Sequence, residues 1–343
     1  MTRAISSACI SLALLISSVA AAQSYTVTDL GVIAGDAVSE GRALSPTGQV
    51  VGDNNQINLQ GFFWSPTQGM LGLPHLKGGR YSLAMGINAS GLIVGYSTYN
   101  SVLSTHAVLW TNGKILDLGT LPGGSQSLAN AINASGQVVG GSNSSVTQAN
   151  AFVWSKARGM LDLGVLPKGF YSTALAINSL GQVVGYSNTT GGNWHAFTWS
   201  KSTGMKDLGT LDSGKSTGAT ANGVNDSGQI VGNSTCGSSC IHAVLWTASG
   251  MQDLGTLPGA IVSSANAINN HGQVVGEAGP AFVWSQATGM QDLNNLIDPN
   301  SGWTLMWAFA INDSGQITGS GSINGQTHAY LLTPTGGHLR IMR

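Results

Sequence analysis

The chain has 343 residues, of which 49 are glycine and only 8% are charged, and its formal net charge is −1. Soluble domains typically carry about 25% charged residues, so this composition favours short strands joined by many turns. A chain so close to neutral lacks the basic field that attracts phosphate groups. Nucleic acids and anionic membrane surfaces are therefore excluded as expected partners.

The N-terminus has the pattern of a secretory signal. Arg3 is followed by an apolar run over residues 10–16 and by three alanines that end at Ala22, which predicts a signal peptide over residues 1–22. The alternative is a membrane anchor, but the run is shorter than the roughly 20 residues that span a bilayer. We therefore expect a secreted protein, extracellular or periplasmic, with a mature chain over residues 23–343 that has no membrane span.

One motif recurs seven times in the mature chain, most clearly as Asn-Ala-Ile-Asn-Ala-Ser-Gly-Gln-Val-Val-Gly at residues 130–140. Successive copies are 43 to 47 residues apart, as measured between their turn glycines. These glycines are Gly48, Gly91, Gly136, Gly181, Gly228, Gly272 and Gly315. No linker, charge run or change of composition interrupts the series, so we expect a single domain.

Each period contains four strand-like segments and no helical periodicity. In one copy, the first segment (residues 127–133) leads through Ala-Ser-Gly turn chemistry into a second (137–139). In the next copy, the third and fourth segments are residues 195–199 and 205–211. Four antiparallel strands in about 45 residues is the size of a propeller blade.

The displaced first segment of the mature chain predicts how the array closes. The seventh unit lacks the Asp-Leu-Gly strand that ends the others, while residues 25–33 at the N-terminus contain it. Pairing this segment with residues 330–332 completes the last blade and removes the open sheet edges that invite aggregation. We predict an all-β, seven-bladed β-propeller of four-stranded antiparallel blades, followed by a tail over residues 333–343. The alternative is an open solenoid, in which the displaced strand would have no blade to complete.

A His-Ala-Phe sequence marks the third strand of these units. It is present as His195-Ala196-Phe197, and its variants begin at His106, Asn150, His242 and His328. The units resemble the extracellular repeats called HAF after this sequence, and the resemblance covers essentially the whole mature chain. It implies an exported bacterial β-repeat protein, and it brings no reaction or catalytic residue with it.

The repeated histidines and aspartates are predicted to be structural rather than catalytic. One copy per blade places equivalent side chains far apart around a ring, so they cannot converge on one metal ion as tetrahedral coordination requires. We expect the imidazoles to bridge backbone groups between sheets, near the tryptophan of the same strand and the aspartate of the next strand, and the carboxylates to accept turn or backbone hydrogen bonds. No metal and no cofactor is predicted. The residues concerned are His106, His195, His242, His328, Asp117, Asp162, Asp207 and Asp253.

Function is expected where the copies differ, on loops held by the rigid ring. The links between blades and the loops between second and third strands share one face in a propeller. Aromatic rings among amides and hydroxyls suit a sugar, although each ring could instead fill the base of its loop. The candidate ligand-binding residues are Trp194, Tyr96, Tyr171, Tyr81, Arg80, Glu40, Arg42, Asp53, Glu277 and Trp303.

The chain has only two glutamates, Glu40 and Glu277, which belong to units one and six. A retaining glycosidase needs two carboxyl groups about 5 Å apart, and these units are close but not adjacent in a ring of seven, so the sequence does not support such a pair. We predict a monomeric binding or surface-interaction module, for glycan or another extracellular polymer or protein. The alternatives are a secreted polysaccharide hydrolase or lyase, and a purely structural surface protein.

Two cysteines remain after removal of the signal peptide, Cys236 and Cys240, and both lie in one loop. In an exported chain we expect them to form a disulfide that braces the loop. Redox activity is the alternative, but the spacing is not Cys-x-x-Cys and no helix N-terminus is present to lower a thiol pKa.

Overall fold

The computed structural model describes residues 24–54, 59–145, 148–189, 192–212, 218–237 and 240–335. The predicted signal peptide and residues 336–343 of the predicted tail lie outside these ranges. The described chain forms seven four-stranded antiparallel sheets, which confirms the predicted seven-bladed propeller. Among the described residues, no helix is long and apolar enough to cross a membrane.

Each sheet is one blade, and the blades are numbered from 1 to 7 in chain order. The first strands are Glu40–Leu44, Ser82–Ile87, Ser127–Ile132, Ser172–Ile177, Ala219–Val224, Ser264–Ile268 and Trp303–Ile311. The second strands are Val50–Asp53, Ile93–Tyr99, Val138–Ser142, Val183–Asn188, Ile230–Gly237, Val274–Glu277 and Ile317–Ile323. The third strands are Gly61–Ser65, Ser101–Thr111, Asn150–Ser155, Trp194–Ser200, Cys240–Thr247, Ala281–Ser285 and Gln326–Pro334. The fourth strands of blades 1 to 6 are Gly69–Gly72, Lys114–Asp117, Gly159–Asp162, Gly204–Asp207, Gly250–Asp253 and Gly289–Asp292, and a 3-10 helix, Leu293–Leu296, follows the last of these.

The ring is closed by the N-terminal strand, as predicted. Tyr25–Asp29 is the fourth strand of blade 7 and pairs antiparallel with Gln326–Pro334. The pairing extends past both ends of the strand, because Leu30 N donates to Ala329 O at 3.0 Å and Thr335 N donates to Ser24 O at 2.8 Å. The strand ends at Asp29, four residues before the predicted boundary.

A β-bulge in every first strand explains the glycine of the repeated Val-Val-Gly sequence. In blade 3 the register shifts between Ala129 and Ala131, and this places the carbonyl oxygen of Leu128 against Gly140. A Cβ atom on Gly140 would lie 1.8 Å from that oxygen. The equivalent glycines of the other blades face the same clash, at 1.8 to 2.0 Å. Only glycine fits at this position of the second strand.

The asparagine of the repeated turn joins neighbouring blades. In blade 3, Asn133 Oδ1 accepts from Gln137 N at 2.9 Å and so closes its own turn. Its Nδ2 donates to the carbonyl of Asn178 in blade 4 at 3.1 Å. The same bond repeats around the ring and ends where Asn312 of blade 7 donates to Ser45 O of blade 1 at 3.1 Å. The sequence predicted the turn but not this bond between blades.

The hydrophobic core lies between adjacent sheets. In six of the seven core clusters, a valine of one blade's second strand packs with the aromatic third strand of the next blade. At the closing interface, Leu30 and Leu331 of blade 7 pack with Val50, Phe62 and Trp64 of blade 1. The antiparallel order then gives the ring two faces. The loop face carries the links between blades and the loops between second and third strands, and the turn face carries the other two hairpin turns of each blade.

Candidate functional site

Three aromatic side chains meet on the loop face of blade 4, and we call them the aromatic cluster: Tyr171, Tyr186 and Trp194. The two tyrosine rings are nearly parallel, with centroids 6.1 Å apart. The indole of Trp194 stands edge-on to both, at 5.2 Å from Tyr171 and 5.3 Å from Tyr186. Trp194 is 39% exposed, so one side of this packed cluster faces solvent.

The local backbone fixes this arrangement. Trp194 begins the third strand and pairs with Asn188, and it also forms a bridge to Gly218 in the link to blade 5. The side chain of Asn188 accepts hydrogen bonds from the backbone of Phe170 and Tyr171, at 2.8 and 2.9 Å. The link before blade 4 is thereby held beside the third strand. The cluster is therefore built on ordered strands rather than on loop side chains alone.

Sequence reasoning selected Tyr171 and Trp194 and missed Tyr186. Tyr186 pairs with Ala196 across the sheet, which places it diagonally opposite Trp194 on the same face. Diagonal neighbours in an antiparallel pair lie within reach of aromatic side chains. The register of this hairpin was the signal that could have found Tyr186.

A cavity of about 490 Å³ lies beside the aromatic cluster, between blades 4 and 5. Tyr186 and Trp194 form one wall. The opposite wall belongs to blade 5 and is mostly small and polar, consisting of Gly218, Ala219, Thr220, Asn233, Thr235 and Ile241. Small-molecule sites commonly have this size and this mixture of an apolar surface with a few polar groups.

A second group of predicted residues meets in blade 1, where Arg42 pairs with two carboxylates. Arg42 Nη2 lies 2.5 Å from Glu40 Oε2, and its Nε lies 2.9 Å from Asp53 Oδ2. The guanidinium also covers the ring of Phe309 in blade 7, 4.9 Å from the centroid. Burial and the nearby Asp53 charge raise the pKa of Tyr96, and Arg42 lowers it in part. The acidic groups are thus held as ion-pair partners of one cation.

The other glutamate lies in a different environment. Asn266 Nδ2 donates to Glu277 Oε2 at 2.5 Å and to Ala308 O at 3.0 Å. Burial raises the pKa of Glu277, and the hydrogen bond from Asn266 lowers it in part. Glu277 belongs to blade 6 and Glu40 to blade 1, so blade 7 separates the two.

The remaining candidates are dispersed. Arg80 and Tyr81 lie in the link before blade 2, where both backbone N–H groups donate to Thr98 Oγ1. Trp303 packs edge-on against Tyr330, with centroids 6.0 Å apart, and it contacts the core of blade 7. The structure therefore joins the ten candidates into two groups and leaves Glu277, Arg80, Tyr81 and Trp303 apart from them.

The repeated histidines bind aspartates of the same sheet. His106 Nδ1 lies 2.8 Å from Asp117, and the same pair recurs as His195–Asp207, His242–Asp253 and His328–Asp29 at 2.7 to 2.9 Å. In blade 3, Asn150 takes the place of histidine and donates to Asp162. Each of these aspartates also accepts from the backbone N–H two residues later. The expected bridging of backbone groups between sheets is not what the imidazoles do, because the fourth-strand carboxylate is nearer.

Cys236 and Cys240 form the predicted disulfide, with Cα atoms 5.1 Å apart. It joins the second and third strands of blade 5 beside the cavity wall. One ring nitrogen of His242 and the two sulfurs lie within 4.8 Å of one another. Zinc and copper bind thiolate sulfur, so the bonded sulfurs do not form a metal site in this oxidised state.

A scan against protein-family models finds no match, and a search among curated proteins finds none either. Solved structures do match. Virginiamycin B lyase from Staphylococcus aureus is 12% identical, with a TM-score of 0.57 over 90% of this chain and 99% of that one. An oligogalacturonate lyase in complex with manganese is 11% identical, with a TM-score of 0.52 over 92% and 94%. TolB from Acinetobacter baumannii is 12% identical, with a TM-score of 0.46. The match covers 61% of this chain and only about half (51%) of that protein. At these identities the two matches with TM-scores above 0.5 show that the chain shares the propeller fold, and the resemblance to HAF repeats stays a prediction.

Proposed function

We propose that the protein is an exported glycan-binding module that binds its ligand on the loop face, in the cavity beside the aromatic cluster. The observation that carries this proposal is the half-exposed indole of Trp194, held edge-on by two tyrosines at the wall of that cavity. Sugar rings stack on such indole surfaces. A rigid aromatic wall loses little conformational entropy on binding, and this favours affinity.

The wall contributed by blade 5 supplies the polar groups that a saccharide requires. Thr220 and Asn233 are hydrogen-bonded to each other at 3.1 Å, so their orientations are fixed before a ligand arrives. Hydroxyl and amide oxygens each have more than one lone pair, and they can still accept from sugar hydroxyls. No charged side chain is among the described residues that line this cavity, which favours a neutral sugar.

The ion pairs of Arg42 with Glu40 and Asp53 in blade 1 support binding rather than hydrolysis. General acid–base catalysis of glycoside hydrolysis needs two carboxyl groups that face one bond from different environments. Glu40 and Asp53 instead share Arg42 as a partner, and Glu277 lies two blades away. The disulfide is compatible with an oxidising compartment outside the cytoplasm.

The test is a glycan array followed by calorimetry on the neutral sugars that bind. We expect Trp194→Ala to weaken binding at least about tenfold, which corresponds to about 1.4 kcal/mol, with little change in melting temperature. The matched control is Ile261→Ala, because Ile261 is 76% exposed on the same face and lies outside the cavity. If the wild-type protein binds no neutral glycan, or if Trp194→Ala binds as well as the wild type, the proposal is wrong.

A further inference from the structure

A second cleft lies between blades 3 and 4 on the turn face, and it is distinct from the cavity of the proposed glycan site. Its volume is about 810 Å³. The third-to-fourth turns of both blades and the first-to-second turn of blade 4 form its rim. Leu161 and Leu180 supply apolar surface, and Ser155, Ser200 and Ser202 supply hydroxyl groups.

Two tryptophans line this cleft and depart from the pattern of the repeat. The third strand carries an equivalent tryptophan in six blades. Four of these are buried, at 8% exposure or less: Trp64, Trp110, Trp246 and Trp284. Trp154 and Trp199 are only half-buried, and both line the cleft. Their indole N–H groups have no hydrogen-bond partner among the described residues. The cleft thus exposes aromatic surface that the equivalent residues of four other blades bury.

The cleft is also positively charged in a protein that is otherwise close to neutral. Arg158 and Lys201 lie in its rim, in equivalent turns of blades 3 and 4. Neither side chain forms an ion pair within the described part of the chain, and no acidic residue is among the described residues that line the cleft. Two cations without counter-ions beside two tryptophans attract a ligand that is both anionic and able to stack.

We propose that this cleft is a second binding site, specific for an acidic saccharide that carries uronate carboxylates. The indoles of Trp154 and Trp199 contact the sugar rings, and Arg158 and Lys201 pair with the carboxylates. The serine hydroxyls bind sugar hydroxyls. The combination favours an acidic sugar over an acidic peptide, because two aromatic surfaces and three hydroxyls match successive hydroxylated rings. The site differs from the loop-face site in position and in the charge of its ligand.

The test measures binding of oligogalacturonate and alginate oligomers by calorimetry, each beside its methyl-esterified, uncharged form. We expect at least one acidic oligomer to bind at least tenfold more tightly than its ester. We expect the affinity to fall as sodium chloride is raised from 0.05 to 0.5 M, because exposed charge pairs are screened. The double variant Arg158→Ser/Lys201→Ser should bind the acidic form about tenfold more weakly.

Lys114→Ser/Lys206→Ser is the matched control, since it removes two exposed cations from fourth strands outside the cleft. It should bind as the wild type does. Trp194→Ala should also keep its affinity for the acidic oligomer, which separates this site from the proposed glycan site. The proposal is overturned if acid and ester bind equally, if neither acidic oligomer binds, or if the control and the cleft variant lose the same affinity. An acidic peptide that binds the wild type, but not the cleft variant, while neither oligomer binds would also overturn it.

Discussion

The inner edge of the turn face and the loop face of blade 4 are built from different kinds of residue. Around the inner edge, one asparagine in each of blades 2 to 7 repeats the same bond to its neighbour, from Asn88 to Asn312, and blade 1 has Ser45 at this position. On the loop face of blade 4, Trp194 has no counterpart in the other repeats, and with Tyr186 it forms one wall of a cavity. Repeated residues thus hold the ring together, and unrepeated residues give it surfaces that can discriminate between ligands.

This difference predicts that the two kinds of residue fail in different ways when they are substituted. Substitution of a repeated residue should lower stability and leave binding intact in the molecules that still fold. Substitution of an unrepeated residue should weaken binding and leave stability intact, as expected above for Trp194→Ala. The following substitutions test this separation.

The largest loss of stability is expected for Gly185→Ala, in the second strand of blade 4. The new Cβ atom would lie 2.0 Å from Thr173 O and 2.9 Å from Ala174 Cα, and both are backbone atoms that cannot turn aside. We expect the free energy of unfolding in urea to fall by about 4 kcal/mol or more. Gly218→Ala is the control, because no atom lies within 4 Å of its added Cβ. Equal stability of the two variants would contradict the role assigned to the bulge.

Asn178→Ala should cost less, about 2 to 3 kcal/mol. The substitution removes the hydrogen bond to Asn225 O at 3.0 Å and two backbone bonds accepted by Oδ1 in its own turn. Thermal unfolding followed by circular dichroism measures the loss. Asn300→Ala serves as control, because Asn300 is exposed and lies outside the ring of turns. A melting temperature close to that of the wild type would show that the bond between blades adds little.

Replacing the disulfide with serine in Cys236→Ser/Cys240→Ser should cost about 2 kcal/mol, because the loop that it closes is short. The disulfide belongs to one blade only, yet it lies beside Ile241 in the cavity wall. We therefore expect a modest loss of glycan affinity in calorimetry together with the small loss of stability. Affinity that is unchanged would show that the loop does not shape the cavity.

The smallest effect concerns the two glutamates. Burial raises the pKa of Glu277, so the folded protein favours its neutral form, and this contribution to stability is lost as pH rises through the folded-state pKa. Glu277→Gln should therefore be slightly more stable than the wild type at pH 7, and the difference should vanish at acidic pH where the carboxyl is protonated in both states. Denaturant unfolding at several pH values measures it. Glu40→Gln should instead lose stability at pH 7, because it removes a partner of Arg42.

The period of the sequence and its displaced strand were enough to predict the propeller and its closure. They succeed because strand alternation, turn glycines and the Asp-Leu-Gly segment are local features that repeat. The disulfide followed from two cysteines close together in a chain that we expect to be exported. The aspartate of the next strand was expected near each histidine, but the bond itself was not predicted: the third and fourth strands of one blade bring His106 next to Asp117, and the imidazole binds that carboxylate within one sheet.

The candidate site was only partly predictable, because it depends on register and on contacts between blades. Tyr186 belongs to the aromatic cluster through its diagonal relation to Trp194, which only the pairing reveals. Trp154 and Trp199 look like their four buried equivalents in the sequence, and only the structure shows that they are more exposed. Arg42 and Phe309 lie 267 residues apart in the chain and meet only because the ring closes.

The pairing of Tyr25–Asp29 with Gln326–Pro334 brings the two described ends of the chain to one edge of the molecule, where Thr335 N donates to Ser24 O. A short peptide could therefore join them, and new ends could be opened in a link between two other blades. In such a circular permutant with all seven blades contiguous, blade 7 would no longer be shared between both ends of the polypeptide. The ring would then be closed by packing between blades alone, and its unfolding rate would report how much the shared sheet slows the opening of the native ring.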